Sequence, residues 1–143
     1  MRPVPAVILG ALLTLSLAGC STLQETADDE TTRIANGPLP MALTDAVAAA
    51  TTPEERAVAA QEWLSDPYGN TLDGYGGTTW ALRGAEGTTF RVDVYHWWES
   101  GDLLPPDQGN AVWGLACRTY DVAAPDVVTT AVECPEDTPT APL

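Results

Sequence analysis

A period-two pattern of side chains between Thr88 and Glu99 constrains the fold more than any other feature of this sequence. Successive side chains of a strand point to opposite faces, so this run predicts a strand with one buried face. The side chains predicted to be buried are Phe90, Val92, Val94, His96 and Trp98. Those of the other face are Thr89, Arg91, Asp93, Tyr95 and Trp97.

Three further segments predict strands that pair with this one, and they are Thr79 to Arg83, Ala111 to Val122 and Val127 to Cys134. If Pro125 and Asp126 are the two central residues of the last turn, Cys117 lies directly opposite Cys134. Both sulfurs then lie on one face of the sheet.

The segment before the sheet predicts short helices. Thr52, Pro53 and Glu55 combine a capping threonine, a proline at the first helical position and a glutamate at the third. The helix that follows is short, so it needs packing against other elements to be stable. The expected fold is therefore α+β, with N-terminal helices packed on one face of a four-stranded antiparallel sheet.

Residues 1–19 have the composition of an export signal, with Arg2 near the start, an apolar run and a small-residue end. The run is shorter than a membrane-spanning helix needs. Its end, Leu17-Ala18-Gly19-Cys20, resembles the lipobox of bacterial lipoproteins. That resemblance implies cleavage before Cys20, lipid attachment to its thiol, and a location on the extracytoplasmic face of the cell membrane. The alternative is an ordinary export signal with an incidental cysteine.

With Cys20 assigned to lipid, Cys117 and Cys134 remain as a pair in a compartment that permits disulfides. A bridge is expected, and two free buried thiols are the alternative. The segments Ala116–Tyr120 and Val132–Pro135 resemble the C-terminal part of small actinobacterial lipoproteins and secreted proteins. This resemblance implies the compartment, the bridge and the order of helices before sheet, but no activity; a nuclear-transport-factor-like or cystatin-like fold has a related layout.

The composition predicts four regions along the chain. They are a signal peptide (1–19), a lipidated cysteine with a disordered acidic tether (20–40), one α+β domain (41–135) and a disordered tail (136–143). The tether has few apolar residues to bury and several acidic ones.

The formal charge of −14 excludes a nucleic-acid partner, because binding phosphates needs a basic patch. The expected partners are the membrane, through the lipid, and an envelope component or a protein. His96 is the only histidine, which argues against a histidine-rich metal site. No metal site or cofactor is predicted.

Aromatic side chains supply the candidate binding site. Tyr95 and Trp97 alternate on the strand face that also carries Arg91, so they are predicted to form an exposed stacking platform for a sugar, peptide or planar ligand. The alternative is that these rings complete the edge of the core.

The sequence thus favours a membrane-anchored envelope lipoprotein that binds non-covalently and is not an enzyme. A small extracytoplasmic enzyme is one alternative, with His96 acting beside an acid such as Asp93, Glu99 or Asp102. The other alternative is a scaffold or inhibitor domain without a ligand pocket.

Overall fold

The computed structural model describes residues 22–100 and 111–143, which form an α+β fold of three helices and one four-stranded sheet. The predicted signal segment, Cys20 and Asp102 lie outside the described residues. The elements are α1 (Leu23–Asn36), α2 (Pro38–Val47), α3 (Pro53–Leu64), β1 (Thr78–Glu86), β2 (Thr89–Glu99), β3 (Ala111–Asp121) and β4 (Val128–Ala131).

The strands are antiparallel and lie in the order β1-β2-β3-β4, as the sequence pattern predicts. One side of the sheet, here the helix face, packs against α1 and α3 and carries the predicted core residues Phe90, Val92 and Val94. The opposite side is called the tail face, because residues 134–143 contact it. The helix face therefore holds the hydrophobic core, and the tail face is left for other contacts.

The predicted acidic tether is wrong for residues 23–36, which form α1. Thr22 and Glu25 make a reciprocal capping box that starts this helix. The four residues of α1 that are buried recur at helical spacing, and they are Ala27, Thr31, Ile34 and Ala35. This narrow stripe of mostly small side chains packs on the sheet. Of the acidic residues that suggested disorder, Glu25 and Asp29 are exposed, whereas Asp28 accepts from the Leu115 amide of β3.

Helix α1 lies along β3 and runs in the same direction. The Gln24 side chain donates to the carbonyl oxygen of Trp113 at 3.0 Å, and Arg118 near the other end of β3 donates to Asn36 at 2.7 Å. The twelve steps from Gln24 to Asn36 along the helix rise about 18 Å, and the five steps from Trp113 to Arg118 along the strand rise about 17 Å. The helix and the strand are therefore matched in length between these two contacts.

Helix α3 begins as predicted, because Thr52 caps it and Glu55 completes the capping box. Its last turn packs on β1, where the Trp80 indole donates to the Leu64 carbonyl at 3.0 Å and stacks on Trp63 at 4.7 Å between ring centroids. Arg56 is buried and donates to the carbonyl of Val122, just after β3. Helix α3 is thus tied to the edge strand β1 and to the end of β3.

The predicted bridge between Cys117 and Cys134 is present. The predicted register of the last hairpin is wrong by two residues, since Thr119 pairs with Thr130 and β4 ends at Ala131. The turn is centred one residue earlier than Pro125-Asp126, so Cys134 lies beyond the end of β4. A shift of two keeps each side chain on its predicted face, and the sulfurs still meet on the tail face.

The predicted disordered tail is also wrong, because residues 136–143 contact the domain. The Tyr95 hydroxyl on the tail face donates to the Pro139 carbonyl at 3.0 Å, and the hydroxyl of Tyr68 approaches the Leu143 carbonyl at 3.4 Å. The folded domain therefore includes residues on both sides of the predicted 41–135.

Candidate functional site

The predicted platform is only partly exposed. Trp97 is 39% exposed, but Tyr95 is 0% exposed, because the segment that follows Cys134 covers it. Burial raises the pKa of the Tyr95 hydroxyl. The prediction that Tyr95 and Trp97 form one stacking surface is therefore wrong, since the sequence pattern of β2 does not reveal the segment that packs over it.

The exposed ring is instead paired across the sheet. Trp97 of β2 faces Trp113 of β3, and their rings meet edge to face with centroids 5.2 Å apart. The Trp97 amide donates to the Gly77 carbonyl at 2.9 Å, and a Cβ on Gly77 would lie 3.3 Å from the Cβ of Trp97. The indole nitrogen donates to Glu99 at 2.9 Å. The pair is thus held in place at one end of the sheet.

Arg91, the third platform residue, lies over a polar cavity of about 210 Å³. Arg83 crosses this cavity to form an ion pair with Asp93 at 2.6 Å, and Asp93 is only 2% exposed. The Arg91 Nε and one Asp93 oxygen have no hydrogen-bond partner within the described residues. One donor and one acceptor are what a single ordered water satisfies, so this cavity needs no ligand to explain it.

A longer groove follows the outer edge of β1. Its volume is about 380 Å³, and five consecutive β1 residues, 79–83, line it. The end of α3 and Tyr68 form one wall, and Pro142 with Leu143 form the other. Residues 79–82 pair with β2, and the register shifts at Arg83, which has no partner in β2. Apart from this pairing, the main-chain groups of residues 79–83 form no hydrogen bond within the described residues. The groove is therefore an open strand edge between two walls.

The walls of this groove are largely solvent-exposed. Tyr68 is 76% exposed and Leu143 is 95% exposed, and the hydroxyl–carbonyl contact between them, at 3.4 Å, is long for a hydrogen bond. A weak contact of this kind closes the groove loosely. An extended segment of another chain can therefore reach β1 without disturbing the core.

His96 is not brought together with Asp93 or Glu99, two of the acids named in the enzyme alternative, and the third, Asp102, lies outside the described residues. His96 lies on the helix face, where its Nδ1 is 2.8 Å from the Thr78 hydroxyl, whereas Asp93 and Glu99 lie on the tail face. Burial lowers the pKa of the imidazole; the nearby Glu30 carboxylate raises it by less, and the Arg33 guanidinium lowers it further. The geometry places His96 as a partly buried partner of β1.

Neither a metal-ligand cluster nor a membrane-spanning helix is found in residues 22–100 and 111–143. Within these ranges no three or more His, Cys, Asp or Glu side chains are grouped as metal ligands. No helix in the same ranges is long and apolar enough to cross a membrane.

No protein-family model, curated protein or solved structure matches this chain. The site therefore has to be interpreted from its own geometry.

Sequence reasoning missed two parts of this site, the β1 groove and Trp113. The groove forms because the chain before β1 and the end of the chain meet at a sheet edge, and no local pattern encodes that meeting. Trp113 could have been found, since pairing the predicted strands places an aromatic residue beside Trp97.

Proposed function

We propose that this chain is a lipoprotein anchored to the extracytoplasmic face of the cell membrane, and that its domain binds a protein partner by accepting an extended segment along β1. The groove beside β1 is the observation that carries the binding proposal. The anchor rests on the lipobox resemblance of Leu17–Cys20.

The open edge of β1 supports a protein partner over a small ligand. An edge strand presents unpaired N–H and C=O groups, and an extended peptide that adds to it satisfies both sets of groups. Leu82 of β1, which is partly exposed, and Tyr68 and Leu143 on the two walls offer apolar contacts to side chains of such a peptide. Main-chain pairing then supplies affinity and the apolar contacts supply specificity.

The charge of the chain limits the partner further. At −14 the chain repels acidic partners and favours encounter with neutral or basic ones. Arg83 at the end of the groove is already paired with Asp93, so it offers little to an acidic peptide. We therefore assign the groove a neutral or basic extended segment of an envelope protein.

The anchor is tested by replacing its cysteine. In cells producing the full chain, Cys20→Ala is expected to move the protein from the membrane fraction to the soluble fraction. The native protein is expected to begin at Cys20 and to carry added acyl mass, read by intact mass spectrometry. Ser21→Ala leaves the four-residue pattern unchanged and is expected to stay on the membrane. An unacylated native chain cut at another position contradicts the anchor.

The groove is tested by site-specific photocrosslinking in the native cell. Tyr68 is replaced by p-benzoylphenylalanine, which keeps an aromatic ring on the groove wall. Irradiation is expected to give one discrete, heavier species in the membrane fraction. Adding Thr79→Lys is expected to remove that species, because a lysine on an edge strand opposes strand addition.

The matched control places the same crosslinker at Val58 of α3, which is 69% exposed and does not line the groove. It is expected to give none of the discrete species. Identical products from positions 58 and 68, or crosslinks unaffected by Thr79→Lys, contradict a partner bound along β1.

A further inference from the structure

The start of α1 and the Trp97–Trp113 pair lie at the same end of the sheet. The Gln24 side chain donates to the Trp113 carbonyl at 3.0 Å, and Asp28, one turn later, accepts from the Leu115 amide at 3.0 Å. Trp113 faces Trp97 across the β2–β3 pair. Two parts of the chain therefore lie at one end of the sheet, the start of α1 on the helix face and the aromatic pair on the tail face.

Cys20 cannot lie far from this end. Only Ser21 and Thr22 separate it from Leu23, the first residue of α1. Three residues of extended chain span at most about 11 Å. Because α1 is packed on β3 rather than forming a tether, an acyl chain on Cys20 holds this end of the sheet against the lipid surface.

Trp97, the exposed member of the pair, has the chemistry of a bilayer interface, and Trp113 beside it is partly exposed. Trp97 is 39% exposed, presents an apolar ring and keeps its indole N–H bonded to Glu99. Tryptophan is enriched at the headgroup level of membranes, in a layer about 5–7 Å deep on each side of the hydrocarbon core. A side chain held within a short reach of a lipid anchor lies at the depth of this layer.

We infer that the Trp97–Trp113 end of the sheet rests in the headgroup layer of the membrane that carries the anchor. This inference rests on the proposed lipid anchor at Cys20. The bilayer, rather than a sugar or planar ligand, is then the partner of Trp97. The acidic residues Glu25, Asp28 and Glu99 surround this end, so the contact is shallow and favours zwitterionic over anionic headgroups.

The experiment uses the acylated full chain, purified from membranes and reconstituted into vesicles of phosphatidylcholine with brominated acyl chains. Bromine quenches tryptophan fluorescence only at short range, and vesicle flotation reports anchoring separately. Quenching of the native protein is expected to fall about two-fold in Trp97→Phe, because the tryptophan at the lipid surface is removed. Both proteins are expected to float equally.

The matched control is Trp63→Phe. Trp63 stacks on Trp80, and Trp80 pairs with Val94 of β2. Val94 lies three residues before Trp97, and its side chain is on the opposite face of the sheet. Replacing Trp63 by phenylalanine is expected to leave the amount of tryptophan fluorescence quenched by bromine unchanged. If both variants float but bromine quenching is the same in Trp97→Phe and Trp63→Phe, the headgroup contact is overturned while the anchor stands. A full chain that carries acyl mass but does not float overturns the anchor and the contact together.

Discussion

Replacing Gly114 by alanine is expected to lower the free energy of unfolding by about 3 kcal/mol, at the upper end of what overpacking costs. Gly114 of β3 lies directly beneath α1. A Cβ at this position would lie 2.1 Å from the Ala27 carbonyl oxygen and 2.2 Å from the Thr31 hydroxyl. The first of these is a backbone atom, so α1 would have to move off the sheet. Urea denaturation followed by tryptophan fluorescence measures the loss.

Gly84 is the matched control for this substitution, since it also lies in a strand and a Cβ there meets nothing within 4 Å. Gly84→Ala is expected to change the free energy of unfolding by less than about 0.5 kcal/mol. If the two alanine variants have the same stability, α1 is not packed on β3 as described.

Removing the bridge is the second large expected effect. The cysteines are separated by 17 positions, and closing a loop of that size contributes about 3 kcal/mol on the chain-entropy account. The double substitution Cys117→Ala and Cys134→Ala is expected to lower the free energy of unfolding by about this amount. The native protein after reduction is expected to have the same urea midpoint as this double variant.

A local readout separates this loop effect from a general loss of packing. Cys134 begins the segment whose Pro139 carbonyl accepts from Tyr95, so removing the bridge frees the cover of the tail face. Hydrogen exchange is expected to increase first in residues 135–143, with α1 still protected. The reductant is expected to leave the urea midpoint of the double variant unchanged, because that variant has no bridge to reduce. A variant as stable as the native protein contradicts the assigned contribution of the bridge.

Local patterns in the sequence account for much of the fold. The alternation of β2 places Phe90, Val92 and Val94 on the buried face, and the capping residues at Thr52 and Glu55 place the start of α3. Each depends on neighbours within a few residues. The cysteine pair follows from the compartment that the N-terminal pattern implies.

The sequence interpretation failed where long-range packing decides the outcome. The capping box at Thr22 and Glu25 was present as a threonine followed three residues later by a glutamate, but the acidic composition outweighed it. Helix α1 is stable because Gly114 lets it approach β3 closely, and that contact joins residues far apart in the chain. The burial of Tyr95 also depends on residues far apart in the chain, since the segment that covers it includes Pro139.

The parallel course of α1 and β3 has a mechanical consequence for an anchored protein. A pull along the axis of α1, applied through the chain that precedes it, loads the helix from its first turn. Because α1 runs beside β3 from Gln24 to Asn36, such a force shears the contacts at both ends together instead of peeling them one by one. With the proposed anchor at Cys20, this arrangement would help the domain stay folded under such a pull.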